Sequence, residues 1–308
     1  MSPIRIATRR SALALWQAEH VASRLRAAHP GLEVSLVPVV TQGDRIQDRP
    51  LAAIGGKGLF IKELEVALAA GEADIAVHSM KDVPADLPAG FVIGVVLERA
   101  DPRDAFVSAR YPGFAALPRG ARVGTSSPRR RCLVRALRPD LEVLELRGNV
   151  DTRLKRALDG DFDAIVLAAA GLTRLGLAAR ITEYVDPKQL LPAVGQGVIG
   201  IECRDEPGLL ARLKPLEHGP TRHRLEAERA FAARLGGSCQ SPIAGFATLE
   251  GDTLGLEGLV GHPDGTRIFR GRRSGAAREA ALIGTALAEE LLGAGAAALL
   301  DELNAAGG

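Results

Sequence analysis

One pattern, written twice, constrains this chain more than any other feature: strand, polar turn, helix, strand. The first copy runs from Arg5-Ile6-Ala7-Thr8 through an amphipathic segment after Ser11, stops at Pro30-Gly31 and resumes over Leu32–Val37. The second runs from Arg122-Val123-Gly124-Thr125 through a segment starting at Pro128, stops near Pro139-Asp140 and continues over Leu141–Leu146. Ser11 and Ser127 stand where a hydroxyl caps a helix, and Pro128 suits a first helical turn. The likeness continues further along. Lys62–Ala70 reads as a helix ended by Gly71 and followed by the short buried strand Asp74–Val77; Asp151–Leu158, Gly160 and Asp163–Leu167 repeat that order. Strands alternating with helices predict crossover units in largely parallel sheets, hence two α/β domains with a ligand cleft between them. Beyond Thr221 the grammar changes. A helix over Thr221–Leu235, strands over Pro242–Ala247 and Leu254–Val260, a turn at His262-Pro263-Asp264-Gly265, a return strand over Arg267–Arg270 and a helix over Ala277–Leu292 predict a small C-terminal α+β domain.

Composition narrows what the cleft can serve. At 308 residues the chain is long for one core, so two or three domains are expected. Aromatics are only 4%, which argues against stacking platforms for single-stranded nucleic acid. A net charge of +2 argues against wrapping nucleic acid and for a small anion bound locally. Cys132, Cys203 and Cys239 lie far apart without CxxC spacing, so neither a disulfide nor a metal site is expected. The opening Ser2–Ile6 is strand-like, without a signal-peptide stretch, and no run approaches the roughly 18 apolar residues of a membrane span. A cytoplasmic protein with no membrane or nucleic-acid partner is expected, frayed at Asn304–Gly308.

Arginine placement points to the ligand. Arg9 and Arg10 precede the first helix, and Arg129, Arg130 and Arg131 occupy the first turn of another. Cations at a helix N-terminus are unfavourable by about a few tenths of a kcal/mol each, so stability alone would select Asp or Glu. Free N–H groups with guanidinium forks do make a carboxylate or phosphate trap. Arg147 and Arg153 add to the set, which points to a polyanion held between the domains. Three further segments stand out. His78-Ser79-Met80-Lys81-Asp82-Val83-Pro84 follows a strand end, where a parallel sheet presents catalytic groups. Gly236-Gly237-Ser238-Cys239-Gln240-Ser241-Pro242 surrounds a cysteine with glycines, which let a bulky group approach the backbone. Ile54-Gly55-Gly56-Lys57-Gly58-Leu59-Phe60 is glycine-rich but lacks Walker spacing.

Together these residues resemble the porphobilinogen deaminase (hydroxymethylbilane synthase) family from Ile4 to about the final helix. The motifs are Arg5-Ile6-Ala7-Thr8-Arg9, Gly55–Glu65, Ile75–Pro84, Asp101-Pro102-Arg103-Asp104-Ala105, Gly124-Thr125-Ser126-Ser127, Leu146-Arg147-Gly148-Asn149 and Leu191–Gly197. The resemblance implies condensation of four porphobilinogen molecules into hydroxymethylbilane with release of ammonia. It also implies a dipyrromethane cofactor joined by a thioether to Cys239, and Asp82 as the catalytic residue. Arg9, Ser11, Lys81, Ser127, Arg129, Arg130, Arg147, Arg153 and Arg174 fall on positions that bind acetate and propionate groups. Thr125, Ser126, Gly148 and Gln196 belong to the same binding motifs, and Lys57 to a loop over the cleft. The implied fold is two periplasmic-binding-protein-like α/β domains, 1–98 with 197–218 and 99–196, plus a third α+β domain, 219–308, that carries the cofactor. A monomer without an obligate protein partner is expected. Where many members read Glu-Gly-Gly-Cys, this chain has Gly236-Gly237-Ser238-Cys239.

Overall fold

The computed structural model describes residues 2–41, 61–236 and 241–307. β1 (Ile4–Arg9), α1 (Ala12–Ala28) and β2 (Val34–Val39) form the first crossover. Ile4 and Ile6 on β1 meet Ala18, Val21 and Leu25 of α1 in one core, and the Ser11 hydroxyl caps α1 by accepting the Ala14 N–H at 3.3 Å. α2 (Lys62–Ala69) leads to β3 (Ile75–Ser79), a 3-10 turn at Met80–Asp82, and β4 (Phe91–Val96).

The second copy has β5 (Asp104–Val107), β6 (Arg122–Gly124), α3 (Pro128–Leu137), β7 (Glu142–Leu144), α4 (Val150–Leu158), β8 (Ala164–Ala168), α5 (Ala169–Arg174) and β9 (Glu183–Tyr184). Ser127 caps α3 by accepting the Arg130 N–H at 3.4 Å. The repetition reaches individual contacts. The backbone N–H of Arg5 donates to Asp74 Oδ2 at 2.8 Å and that of Arg122 to Asp163 Oδ2 at 2.7 Å, each at the start of an inner strand, and each arginine's guanidinium pairs with the same carboxylate.

β10 (Ile199–Arg204) returns to the first sheet, whose order is β2-β1-β3-β10-β4; the second sheet runs β7-β6-β8-β5-β9. In both, the first three strands are parallel, while β10 and β5 lie antiparallel to both neighbours. The sheets are thus mixed α/β sheets of one topology rather than uniformly parallel ones. The antiparallel strand of each enters from outside the local strand–helix–strand unit.

α6 (Pro207–Leu213) and α7 (Gly219–Arg234) lead to an antiparallel meander, β11 (Ile243–Glu250), β12 (Thr253–Gly261) and β13 (Ile268–Ala276). α8 (Ala280–Leu291) and α9 (Ala297–Gly307) pack against it. The end expected to fray is helical to Gly307, because Ala296, Leu299 and Leu300 are buried in this core. Ala277–Ala305 is long and apolar enough on average to cross a membrane, although Glu289 and Glu290 interrupt its apolar run. Its Ile283, Leu287 and Leu291 pack in the core of the meander, and Gly295, with φ 117°, breaks it. Ala244 and Leu259 of the meander also join the core of the second sheet, so the two share apolar packing.

Candidate active site

A cavity of about 820 Å³ opens between the two sheets, with α7 as a third wall. That lies in the upper part of the roughly 300–1,000 Å³ range of ligand pockets. Its lining includes eight lysines and arginines but only four carboxylates. Strand ends supply the chemistry: Arg9 and Ser11 follow β1, Lys81 and Asp82 follow β3, Ser126 to Arg130 follow β6, and Arg147, Gly148 and Arg153 follow β7.

Asp82 closes the 3-10 turn that ends β3. Met80 anchors this turn, buried, with its N–H donated to the Val198 carbonyl at 3.0 Å. Gly195 lies against the turn with φ 70°, and a Cβ there would come within 2.9 Å of Met80 Cβ and 3.1 Å of the Lys81 nitrogen. Both the backbone conformation and the approach require glycine. Beside Asp82, burial pushes the Lys81 ammonium down to about 8; Asp82 and Asp104 oppose this, while Arg130 and Arg153 add to it.

Arg129 and Arg130 do not both present free forks. They share the fully buried Asp104, with Arg129 Nη1 at 2.8 Å and Arg130 Nη2 at 2.7 Å from its oxygens. Burial alone would raise the Asp104 carboxyl, but the two guanidiniums outweigh it and hold the group far below the usual carboxylate range. Two cations on one anion leave a net positive charge at the N-terminus of α3. Arg153 donates Nε to the Gly148 carbonyl at 2.6 Å, and burial, with Arg130 adding, pushes it down to about 10. Arg147 keeps a buried Nη1 without a hydrogen-bond partner.

The remaining sequence candidates divide. Gln196 lines the cavity, donates to Asp104 at 3.0 Å and leaves its Oε1 buried without a partner. Thr125 is buried outside the lining, where its hydroxyl accepts the Ser127 N–H at 3.3 Å. Arg174 also lies outside the lining; it donates to the Gly197 carbonyl at 2.8 Å and sits 5.9 Å from the Trp16 ring centroid. Cys239 and Lys57 fall outside the described residues, although Gly236 and Ser241, on either side of Cys239, line the cavity. Two further residues belong to the site without a local motif to mark their part in it: Asp104, which holds Arg129 and Arg130, and Arg229 on α7, which lines the cavity.

A dipyrromethane bearing acetate and propionate groups fits this lining, since cations exceed carboxylates and Arg147 has an unused buried donor. Fold and site together define a protein of two α/β sheets with a cationic cleft between them. Residues 4–211 match the family described as porphobilinogen deaminase, dipyrromethane cofactor binding domain, and residues 223–293 match the porphobilinogen deaminase C-terminal domain. The chain belongs to the porphobilinogen deaminase family, transferases (hydroxymethylbilane synthases) of tetrapyrrole biosynthesis that use a dipyrromethane cofactor and porphobilinogen as substrate.

Among solved structures, the chain is similar to a methionine-binding protein, at 15% identity over 69% of this chain and 89% of that one, with a TM-score of 0.46. It is also similar to an ABC transporter periplasmic substrate-binding protein from Coxiella burnetii, at 16% identity over 69% and 91%, with a TM-score of 0.44. Immunogenic lipoprotein A from Vibrio vulnificus is similar at 16% identity over 68% and 93%, with a TM-score of 0.43.

Proposed function

We propose that Asp82 is the catalytic group, that the cationic lining binds the acetate and propionate groups, and that Cys239 carries the dipyrromethane through a thioether. The reading rests on one observation above all: Asp82 stands at a strand end inside a cavity where cations outnumber carboxylates two to one. When porphobilinogen reacts with its amine protonated, the C–N bond breaks with the electron pair going to nitrogen, ammonia leaves, and the positive charge passes to the methylene pyrrolenine. A fixed carboxylate stabilises that charge more in the transition state than in the ground state. Asp82 acts chiefly as this anion. When bound, the dipyrromethane supplies a free pyrrole α-carbon as the nucleophile. Arg147, Arg153 and Lys81 orient carboxylates, while Arg130 contributes the charge that Asp104 leaves uncompensated. The working unit in this reading is a cytoplasmic monomer, acting without nucleic acid, membrane or obligate protein partner. Its domains are 1–98 with 197–218, 99–196, and 219–308.

Ammonia release across pH tests the reading. Because the Lys81 pKa in the free enzyme is lowered to about 8, its charge is present below that pH and lost above it. Carboxylates of a bound dipyrromethane favour the charged ammonium, so kcat/KM for porphobilinogen is expected to fall with rising pH at or above about 8, and this limb to vanish in Lys81→Gln. An unchanged limb in Lys81→Gln, or no ammonia release at any pH, contradicts it.

A further inference from the structure

Toward the C-terminal end of α7 lies an arginine that the chemistry above leaves without a role. Arg229 lines the cavity edge, yet its guanidinium grips backbone. Nη2 donates to the carbonyls of Pro84 and Ala85, both at 2.8 Å, and Nη1 to that of Val83 at 3.3 Å. These are the three residues that directly follow Asp82. Burial lowers the Arg229 pKa, with Asp86 opposing. A desolvated guanidinium aimed at neutral carbonyls gains less than one aimed at a carboxylate, so stability alone does not account for this choice.

The neighbouring packing gives the clamp a direction. Leu225, one turn earlier on the same face of α7, packs with Met80 and Val83 in a single apolar cluster. Gly195 closes the other side of the turn. The Met80–Asp82 turn is thus held by the Val198 carbonyl, by Gly195 and by α7, and α7 also hydrogen-bonds the segment that leaves Asp82.

We propose that Arg229 is a positioning residue, which fixes Val83–Ala85 and thereby aims the Asp82 carboxylate into the cavity. The inference rests on the role proposed for Asp82. A planar fork reaches three carbonyls where a lysine ammonium, a point donor, cannot hold all three in one geometry. Loss of the clamp leaves the carboxylate present but displaced.

A double-mutant cycle on the holoenzyme tests it. Arg229→Met is expected to lower kcat for ammonia release roughly 10–100-fold with KM nearly unchanged, and to speed amide hydrogen exchange over Asp82–Asp86. Arg229→Lys is expected to recover part of both. In the Asp82→Asn background the same substitution costs little further, because no carboxylate is left to aim. Equal losses in both backgrounds overturn the inference and leave Arg229 a structural residue; so does an unchanged kcat, or an effect confined to KM. Should Arg229→Met fail to fold, Arg229→Lys and Arg229→Gln are carried through the same cycle. Near-normal turnover by Asp82→Asn alone removes the Asp82 role, and this inference with it, before any Arg229 variant is compared.

Discussion

Asp82→Asn is expected to lower kcat at least 10²- to 10³-fold, the cost of removing one preorganised charge from a developing opposite charge. Asparagine keeps the shape and hydrogen-bonding reach of the side chain, so the loss reads charge rather than packing. Asp82 is partly exposed to the cavity and is not a core residue, so the melting temperature is expected to stay close to that of the wild type. Asp82→Glu keeps the charge one methylene further out and should lie between the two, since displacement of about an ångström costs up to ~10²-fold. Steady-state ammonia release with parallel thermal melts measures all three proteins. Near-normal turnover in Asp82→Asn would place the stabilising charge elsewhere.

The second large effect falls on stability. Asp104→Asn leaves the guanidiniums of Arg129 and Arg130 buried without their carboxylate, which otherwise accepts from both and from Gln196. Breaking a buried ion pair from one side costs about 3–5 kcal/mol, and urea unfolding should show a loss of that size. The wild-type pH dependence has a defined sign. The folded Asp104 pKa lies below its ordinary value of 3.8, so its contribution is fully present above that value and fades as pH falls below it. Unfolding free energies of Asp104→Asn and wild type should therefore converge only in strong acid. Equal stability at neutral pH would show that the two arginines find other partners.

Much of this architecture is written locally. The caps at Ser11 and Ser127, the crossover β1-α1-β2 and its copy β6-α3-β7 depend on residues a few positions apart, and periodicity reveals them. The antiparallel strands β5 and β10 depend on partners far along the chain, such as Ile201 opposite Val77, and no local signal specifies them. The same divide runs through the site. That Asp82, Arg147 and Arg153 line the cavity was legible because a strand end or helix start is a local feature. That Arg129 and Arg130 converge on Asp104 was not, because 25 residues separate Arg129 from its carboxylate. Arg229 was invisible for the same reason: its partners lie 144 to 146 residues away. Its place on the helix that precedes Cys239 in the sequence was the one available hint.

The account stands most directly on the covalent primer. Intact-protein mass spectrometry of the purified wild type and of Cys239→Ser tests it. The account predicts an adduct of two linked pyrroles on the wild type, present as isolated or formed on incubation with porphobilinogen, and no adduct on Cys239→Ser. A wild-type protein that stays unmodified after that incubation, or the same covalent adduct on Cys239→Ser, would contradict it.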